Sequence, residues 1–256
     1  MQSHQHHVLD FHTRQYATTD FVRHVQMTDH GLNSTERDFI ERYCQERQRP
    51  ILEVGCGTGR VAFGLERECG YTNIVAGDIV PSFIRAAHQY ACKHSSSVMF
   101  HTCNALALPF SDAAFHVILC LGVMCSHLPY QEQRRQFFHE CFRVLDPGGI
   151  VIVNAMNFLA RTWYLPFVKA LVWLRRWISN PYYYDRQNLP RLGCGGKWDP
   201  GFLRKDKPTL HYYYPGELVF DVLLAQFVVV ECLTTHPGGT QFLAHGKVIY
   251  VVGRKD

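Results

Sequence analysis

The sequence predicts an α/β fold: a mostly parallel β-sheet covered by helices on both faces. Two observations carry this. Short apolar runs alternate with amphipathic helical patterns from about residue 35 to residue 154, and the first such run, Ile51-Leu52-Glu53-Val54, ends in glycines at 55, 57 and 59 before a helix begins. Strands that alternate with helices need crossover connections, and the crossovers cover the sheet on both sides. A chain of 256 residues can bury one large core, so a single elaborated domain is expected.

The elements follow in order. A helix is predicted over about 35–48, then strand 51–54 and helix 58–68. Glycines at 55, 57 and 59 let the backbone turn tightly and approach a ligand with no Cβ in the way. The helix start that follows favours an anionic group. Strand 73–77 ends in Asp78, whose carboxylate is placed to accept two neighbouring hydroxyls of a ribose. Helix 82–93 leads to strand 97–103, which ends at Asn104-Ala105 and is followed by Leu108-Pro109-Phe110. Strand 115–121, helix 130–144 and strand 149–154 complete the alternating part, with Asp146-Pro147-Gly148-Gly149 as the turn into the last of these. Later come a helix over 215–226 and strands over 227–233 and 247–253, joined by a turn at Pro237-Gly238-Gly239.

The glycine pattern is not the dinucleotide fingerprint G-x-G-x-x-G, because its third glycine comes one residue early. Glu53-x-Gly55-x-Gly57-x-Gly59 resembles instead motif I of class I S-adenosylmethionine-dependent methyltransferases, and the matching features run in the right order over roughly residues 34–154. The chain is most similar to the methyltransferase type 11 group. The resemblance implies a Rossmann-like, seven-stranded sheet with an antiparallel final strand, and S-adenosylmethionine as cofactor with no metal. It implies cofactor contacts from Glu53, Gly55, Cys56, Gly57, Gly59, Asp78, Ile79, Asn104, Ala105 and Leu121. The family usually has Asp where this chain has Asn104, whose side-chain carbonyl can still accept from an adenine amino group. As a domain plan, residues 1–34 form an N-terminal cap segment, 35–155 the cofactor-binding core, 156–214 an insertion and 215–256 the closing helix and two strands.

The insertion after strand five sets this chain apart from the common core. It holds all four tryptophans, Trp163, Trp173, Trp177 and Trp198, and seven of the thirteen tyrosines. From Met156 to Tyr214 there are ten Lys/Arg against three Asp, a net of +7 where the whole chain carries +4. The basic character therefore belongs to the insertion. In similar families such additions roof the substrate pocket, so Trp163, Tyr212 and Tyr214 are candidate substrate contacts, with Tyr16 closing from the amino-terminal segment. Tyr212 and Tyr214 are alternate residues and would point the same way in an extended strand. Residues 166–178 read as a helix with Lys169, Arg175 and Arg176 on one arc and a broad apolar face. It is too short and too charged to span a bilayer. Its apolar face either packs on the protein or on a second subunit, or lies on a membrane surface.

The ten cysteines are scattered with no Cys-x-x-Cys, and no Cys/His cluster has zinc-ligand spacing. A cytoplasmic protein is expected, since the amino terminus lacks the regions of a signal peptide. For chemistry, His127 follows strand four near the expected methyl site and is the best single candidate base; its structural alternative is a local hydrogen bond in the loop. A base is needed only when the nucleophile is protonated. The expected activity is methyl transfer to an O or N atom of a small or medium-sized, partly apolar acceptor. Two alternatives stand beside it: methylation of tRNA or another RNA, through phosphate binding and base stacking by the insertion, and a non-catalytic cofactor-binding partner subunit.

Overall fold

The computed structural model describes residues 25–160, five residues of the 166–174 stretch (166, 167, 170, 173 and 174), the backbone of 191–192 and 198–199, and residues 210–235 and 246–256. Among these, the elements are α1 (Ser34–Tyr43), β1 (Ile51–Val54), α2 (Arg60–Cys69), β2 (Ile74–Asp78), α3 (Pro81–His94), β3 (Met99–Thr102), β4 (Phe115–Cys120), α4 (Gln131–Val144), β5 (Leu145–Met156), α5 (Pro215–Leu224), β6 (Val228–Thr235) and β7 (Val248–Arg254). Two-residue strands at Arg191–Leu192 and Trp198–Asp199 pair with each other outside the main sheet.

The main sheet has seven strands in the order β3-β2-β1-β4-β5-β7-β6. Strands β1 to β5 are parallel, whereas β7 runs antiparallel to both β5 and β6. Side chains alternate across the sheet as a period of two requires. Ile51, Ile74 and Val117 enter one buried cluster, and Leu52, Val75 and Ile118 enter the other on the opposite face. All four residues of β1 are buried, as expected of a central parallel strand covered on both sides. In this topology the chain winds outward in one direction from β1 to β3 and in the other from β4 to β5, and this reversal of strand order places a crevice at the carboxyl ends of β1 and β4.

Local chemistry explains most element ends. The Asn33 side chain accepts from the Glu36 N–H while the Glu36 side chain accepts from the Asn33 N–H, a reciprocal cap that starts α1. Helix α2 starts after left-handed Gly59 and ends at left-handed Gly70. Pro81 and Pro215 stand in the first turns of α3 and α5, where a missing N–H costs nothing.

The structure corrects several sequence expectations. Helix α1 stops at Tyr43, not at residue 48, because the chain turns at Cys44 and its carbonyl oxygen accepts from the Tyr71 hydroxyl. Strand β5 begins at Leu145, earlier than 149, since it pairs with β4 at Phe115 before a register shift. Residues 124–127, read as loop, form a 3-10 turn. The turn expected at 237–239 lies outside the described residues.

A buried ionic network joins the closing elements to the parallel core. The Arg134 guanidinium on α4 donates to Asp221 (3.0 Å) and Glu217 (3.1 Å) on α5 and to the Pro129 carbonyl (3.1 Å), and lies over the Tyr213 ring. His211 Nε2 is 2.8 Å from the same Glu217 oxygen. Removing the Arg134 guanidinium would take its charge and hydrogen bonds away from two carboxylates in a low-dielectric setting. Arg134→Ala is expected to cost about 3–5 kcal/mol, read as a fall in the denaturation midpoint with an unchanged slope; a loss under about 1 kcal/mol would show the network to be effectively solvated.

Candidate functional site

The site is built at the carboxyl edge of β1, β2 and β4. Gly55, Gly57 and Gly59 all have positive φ, at 76°, 56° and 92°. At Gly59 a Cβ would stand 2.7 Å from Phe63 and 2.9 Å from Phe100, so both the conformation and the space require glycine there. The N–H groups of Gly55 and Cys56 donate to the Gly77 carbonyl at 2.8 and 3.0 Å, which ties the loop to the end of β2. Cys56 is buried and its thiol is pushed well above its ordinary pKa by burial, so it acts as a small apolar residue.

Two carboxylates grip this loop. Glu53, buried on β1, accepts from the Ala62 N–H at 2.9 Å and so satisfies one of the unpaired donors at the start of α2. Asp78, at the end of β2, accepts from the Gly57 N–H at 2.8 Å through one oxygen and from the Val80 N–H at 2.9 Å through the other. Each carboxylate oxygen has two lone pairs, so Asp78 holds the loop and keeps acceptor capacity toward the groove. Burial raises the Asp78 pKa, against the backbone donors that lower it.

The remaining wall comes from the ends of β3 and β4. Asn104 Oδ1 accepts from the Leu106 N–H at 2.9 Å, an Asx turn that shapes the segment after β3. Ile79, Asn104 and Ala105 are half-buried, while Leu121 is buried. Beyond β4, Gly122 is exposed and left-handed, and a Cβ there would meet nothing within 4 Å. Val123 is also left-handed, at φ 60° and ψ 28°, and its N–H donates to Asn154 Oδ1 at 2.7 Å. Met124 folds over the glycine loop: a Cβ on Gly55 would lie 2.5 Å from its Cγ.

His127 is the last residue of the 3-10 turn 124–127 and is half-buried. That turn is held from several directions. The Ser126 carbonyl accepts from the His211 N–H at 2.7 Å, the Ser126 hydroxyl accepts from the Met156 N–H at 2.9 Å, and the Tyr213 hydroxyl donates to the Cys125 carbonyl at 3.4 Å. Residues 211–213, the end of the insertion, are therefore part of the wall behind His127. Tyr212 is buried with Phe158 in a satellite cluster, and Tyr214 packs edge-on against Phe158 while staying partly exposed. Both rings of this alternate pair thus meet Phe158, and Tyr213 enters the main core. Tyr16 and Trp163 lie outside the described residues, as does most of 166–178; of that stretch, Phe167, Trp173 and Leu174 are exposed.

Sequence reasoning missed the contacts that hold these loops. The Thr28 and Thr58 hydroxyls meet at 2.7 Å, tying the segment before α1 to the glycine loop. Arg60, the residue after Gly59, makes a two-pronged pair with Glu36 at 2.7 Å on both arms and donates to the Gly31 carbonyl at 2.6 Å. Neither the Asn33–Glu36 cap nor its link to Arg60 was among the sequence expectations. Among the described residues no group of three or more His, Cys, Asp or Glu is arranged to hold a metal, and no helix is long and apolar enough to cross a membrane. A cavity of about 300 Å³, lined by Cys44, Cys69 and Tyr71 among others, lies at the far ends of α1 and α2, away from the groove.

Burial lifts the Glu53 carboxyl from 4.5 to about 8, more than Arg60 and the Ala62 N–H can offset. The folded state therefore keeps a proton that the unfolded chain loses, so this group's contribution to stability falls as pH rises from about 4.5 to about 8. Glu53→Gln keeps an acceptor for Ala62 without the titration. Its stability relative to the parent should rise across that window in denaturation curves taken at each pH; a constant difference would refute the assignment.

Comparison with known proteins agrees with this geometry. A family model described as a methyltransferase domain matches residues 51–149. A demethylmenaquinone methyltransferase of Deinococcus radiodurans is 33% identical over 105 residues, 41% of this chain and 42% of that protein. A ubiquinone biosynthesis O-methyltransferase of Xylella fastidiosa is 28% identical over 130 residues, half of each chain. The chain thus matches about half the length of these curated relatives. A solved S-adenosylmethionine-dependent methyltransferase from Methanosarcina mazei shares the fold at a TM-score of 0.66 and 19% identity, over 88% of this chain and 98% of that one. Residues 51–149 match a methyltransferase domain, and the sheet and helices around them share the fold of a solved S-adenosylmethionine-dependent methyltransferase.

Proposed function

We propose that the protein transfers a methyl group from S-adenosylmethionine to an O or N atom of a small or medium-sized, partly apolar acceptor. The observation that carries this reading is the glycine loop tied to the end of β2 through the Asp78–Gly57 bond. The cofactor, when bound, supplies an electrophilic methyl on a sulfonium. The protein's own tasks are then to hold, align and exclude water.

The residues fit such a group. Asp78 offers acceptor capacity for ribose hydroxyls, and Asn104 and Ala105 line the neighbouring position for the base. The half-buried rim of Ile79, Asn104, Val123, Met124 and His127 contrasts with the buried strands beneath it. His127 is proposed to take a proton from a phenolic or ammonium acceptor, a role supported by its half-buried place in the turn after β4. Tyr16, Trp163, Tyr212 and Tyr214 are proposed to shape the acceptor side, Tyr212 indirectly by supporting Phe158 and Tyr214. An apolar acceptor is supported by two relatives whose names place them in demethylmenaquinone and ubiquinone chemistry. The exposed Phe167, Trp173 and Leu174 add support for peripheral contact with a membrane that carries such an acceptor. The domain plan, with a core at 35–155 and an acceptor-side insertion at 156–214, is part of the same proposal.

Calorimetric titration with S-adenosylhomocysteine tests the cofactor half. Binding with a dissociation constant of about 1–100 μM is expected, weakened at least about tenfold (~1.4 kcal/mol) by Asp78→Ala and less by Asp78→Asn, which keeps one acceptor oxygen. Equal affinity in all three proteins would remove Asp78 from the site. Release of S-adenosylhomocysteine from S-adenosylmethionine with phenols or quinols, and not with total tRNA, tests the acceptor half; the reverse pattern would favour RNA.

A further inference from the structure

The mouth of the groove depends on a backbone conformation that its own sequence disfavours. Val123 is β-branched yet sits in the left-handed region, where such side chains are strained. It follows Gly122, also left-handed, and precedes Met124, whose side chain covers Gly55. Two consecutive left-handed residues bend the chain sharply just after β4 and carry Met124 back across the glycine loop. Relaxation of Val123 to an ordinary conformation would move Met124 and the turn that carries His127.

One buried side chain opposes that relaxation. Asn154 on β5 accepts from the Val123 N–H at 2.7 Å. Asn154 stands in register with the buried Tyr250 of β7, and the Asn154 and Asn33 side chains both hold the Tyr250 hydroxyl's pKa down against the burial that raises it. Asn33 caps α1 together with Glu36, and Glu36 pairs with Arg60 at the start of α2.

We propose that Asn154 is a positioning residue: its side-chain carbonyl holds Val123 left-handed and thereby sets Met124 and the 124–127 turn against the glycine loop, ready for the cofactor. Its part in cofactor binding rests on the proposed function, whereas its hold on Val123 does not.

Glycine at position 123 separates positioning from bulk stability, because glycine adopts the left-handed region without strain. Asn154→Leu is expected to weaken S-adenosylhomocysteine binding about tenfold or more (~1.4 kcal/mol). Adding Val123→Gly should bring the double variant to within about threefold (~0.6 kcal/mol) of Val123→Gly alone. Unchanged affinity in Asn154→Leu, or no recovery in the double variant, would overturn the inference. If Asn154→Leu does not fold, hydrogen exchange on the unliganded wild-type protein decides: a protected Val123 amide supports the hold, and exchange at the rate of an open loop refutes it. A wild-type protein that binds no cofactor would sink the proposed function, and the same exchange measurement would still test the hold on Val123.

Discussion

The constraint on which the rest depends is the placement of two carboxylates around one glycine loop. Parallel pairing of β1 with β2 in the register Val54 to Gly77 brings the loop alongside the end of β2. Glu53 then holds the start of α2 through Ala62, and Asp78 holds the loop through Gly57. Both groups are desolvated, and both are raised in pKa by that burial. The energetic cost of burying them is offset by the N–H groups of Ala62, Gly57 and Val80. Under the proposed function, a loop held at these points leaves less ordering to be done when the cofactor binds.

A second level of organisation holds the opposite wall. The turn bearing His127 closes short-range bonds of its own, from the Ser126 N–H to Val123 and from the Leu128 N–H to Cys125, but it follows a β-branched residue in the disfavoured left-handed region and needs further support. It is fixed from outside, by Asn154, Met156 and the 211–213 segment. That segment is tied through His211 and Tyr213 to Arg134, Glu217 and Asp221. The end of the insertion and the helix that follows it are therefore mechanically continuous with the candidate catalytic turn. Under the proposed function, this connection links the acceptor-side elements to the turn that carries His127.

Much of the cofactor wall was legible in the sequence because its signals are local. Strand periodicity, three glycines and an acidic residue at a strand end are each visible within a few residues, and β1 came out with the predicted bounds. Asp78 ends β2 as expected, whereas β3 stops at Thr102 and leaves Asn104 two residues beyond it; both also serve the backbone, through Gly57, Val80 and Leu106. What was not legible depends on contacts between distant positions. Nothing near Asn154 announces that it faces Val123, 31 residues away. Nothing near Arg134 announces carboxylates 83 and 87 residues on. The helix over 35–48 was overextended for the same reason: Gln45, Glu46, Arg47 and Gln48 after Tyr43 are all good helix formers, but the chain turns where Tyr71 reaches the Cys44 carbonyl.

The most direct measurement is a crystal structure of the protein with S-adenosylhomocysteine. The account predicts the ribose hydroxyls on the Asp78 carboxylate, the adenine beside Asn104 and Ala105, and the sulfur facing the turn that carries His127, with Val123 still left-handed. A ligand bound away from the glycine loop, or a loop that must unfold its Asp78–Gly57 bond to admit it, would contradict the claim that the two carboxylates preform the site.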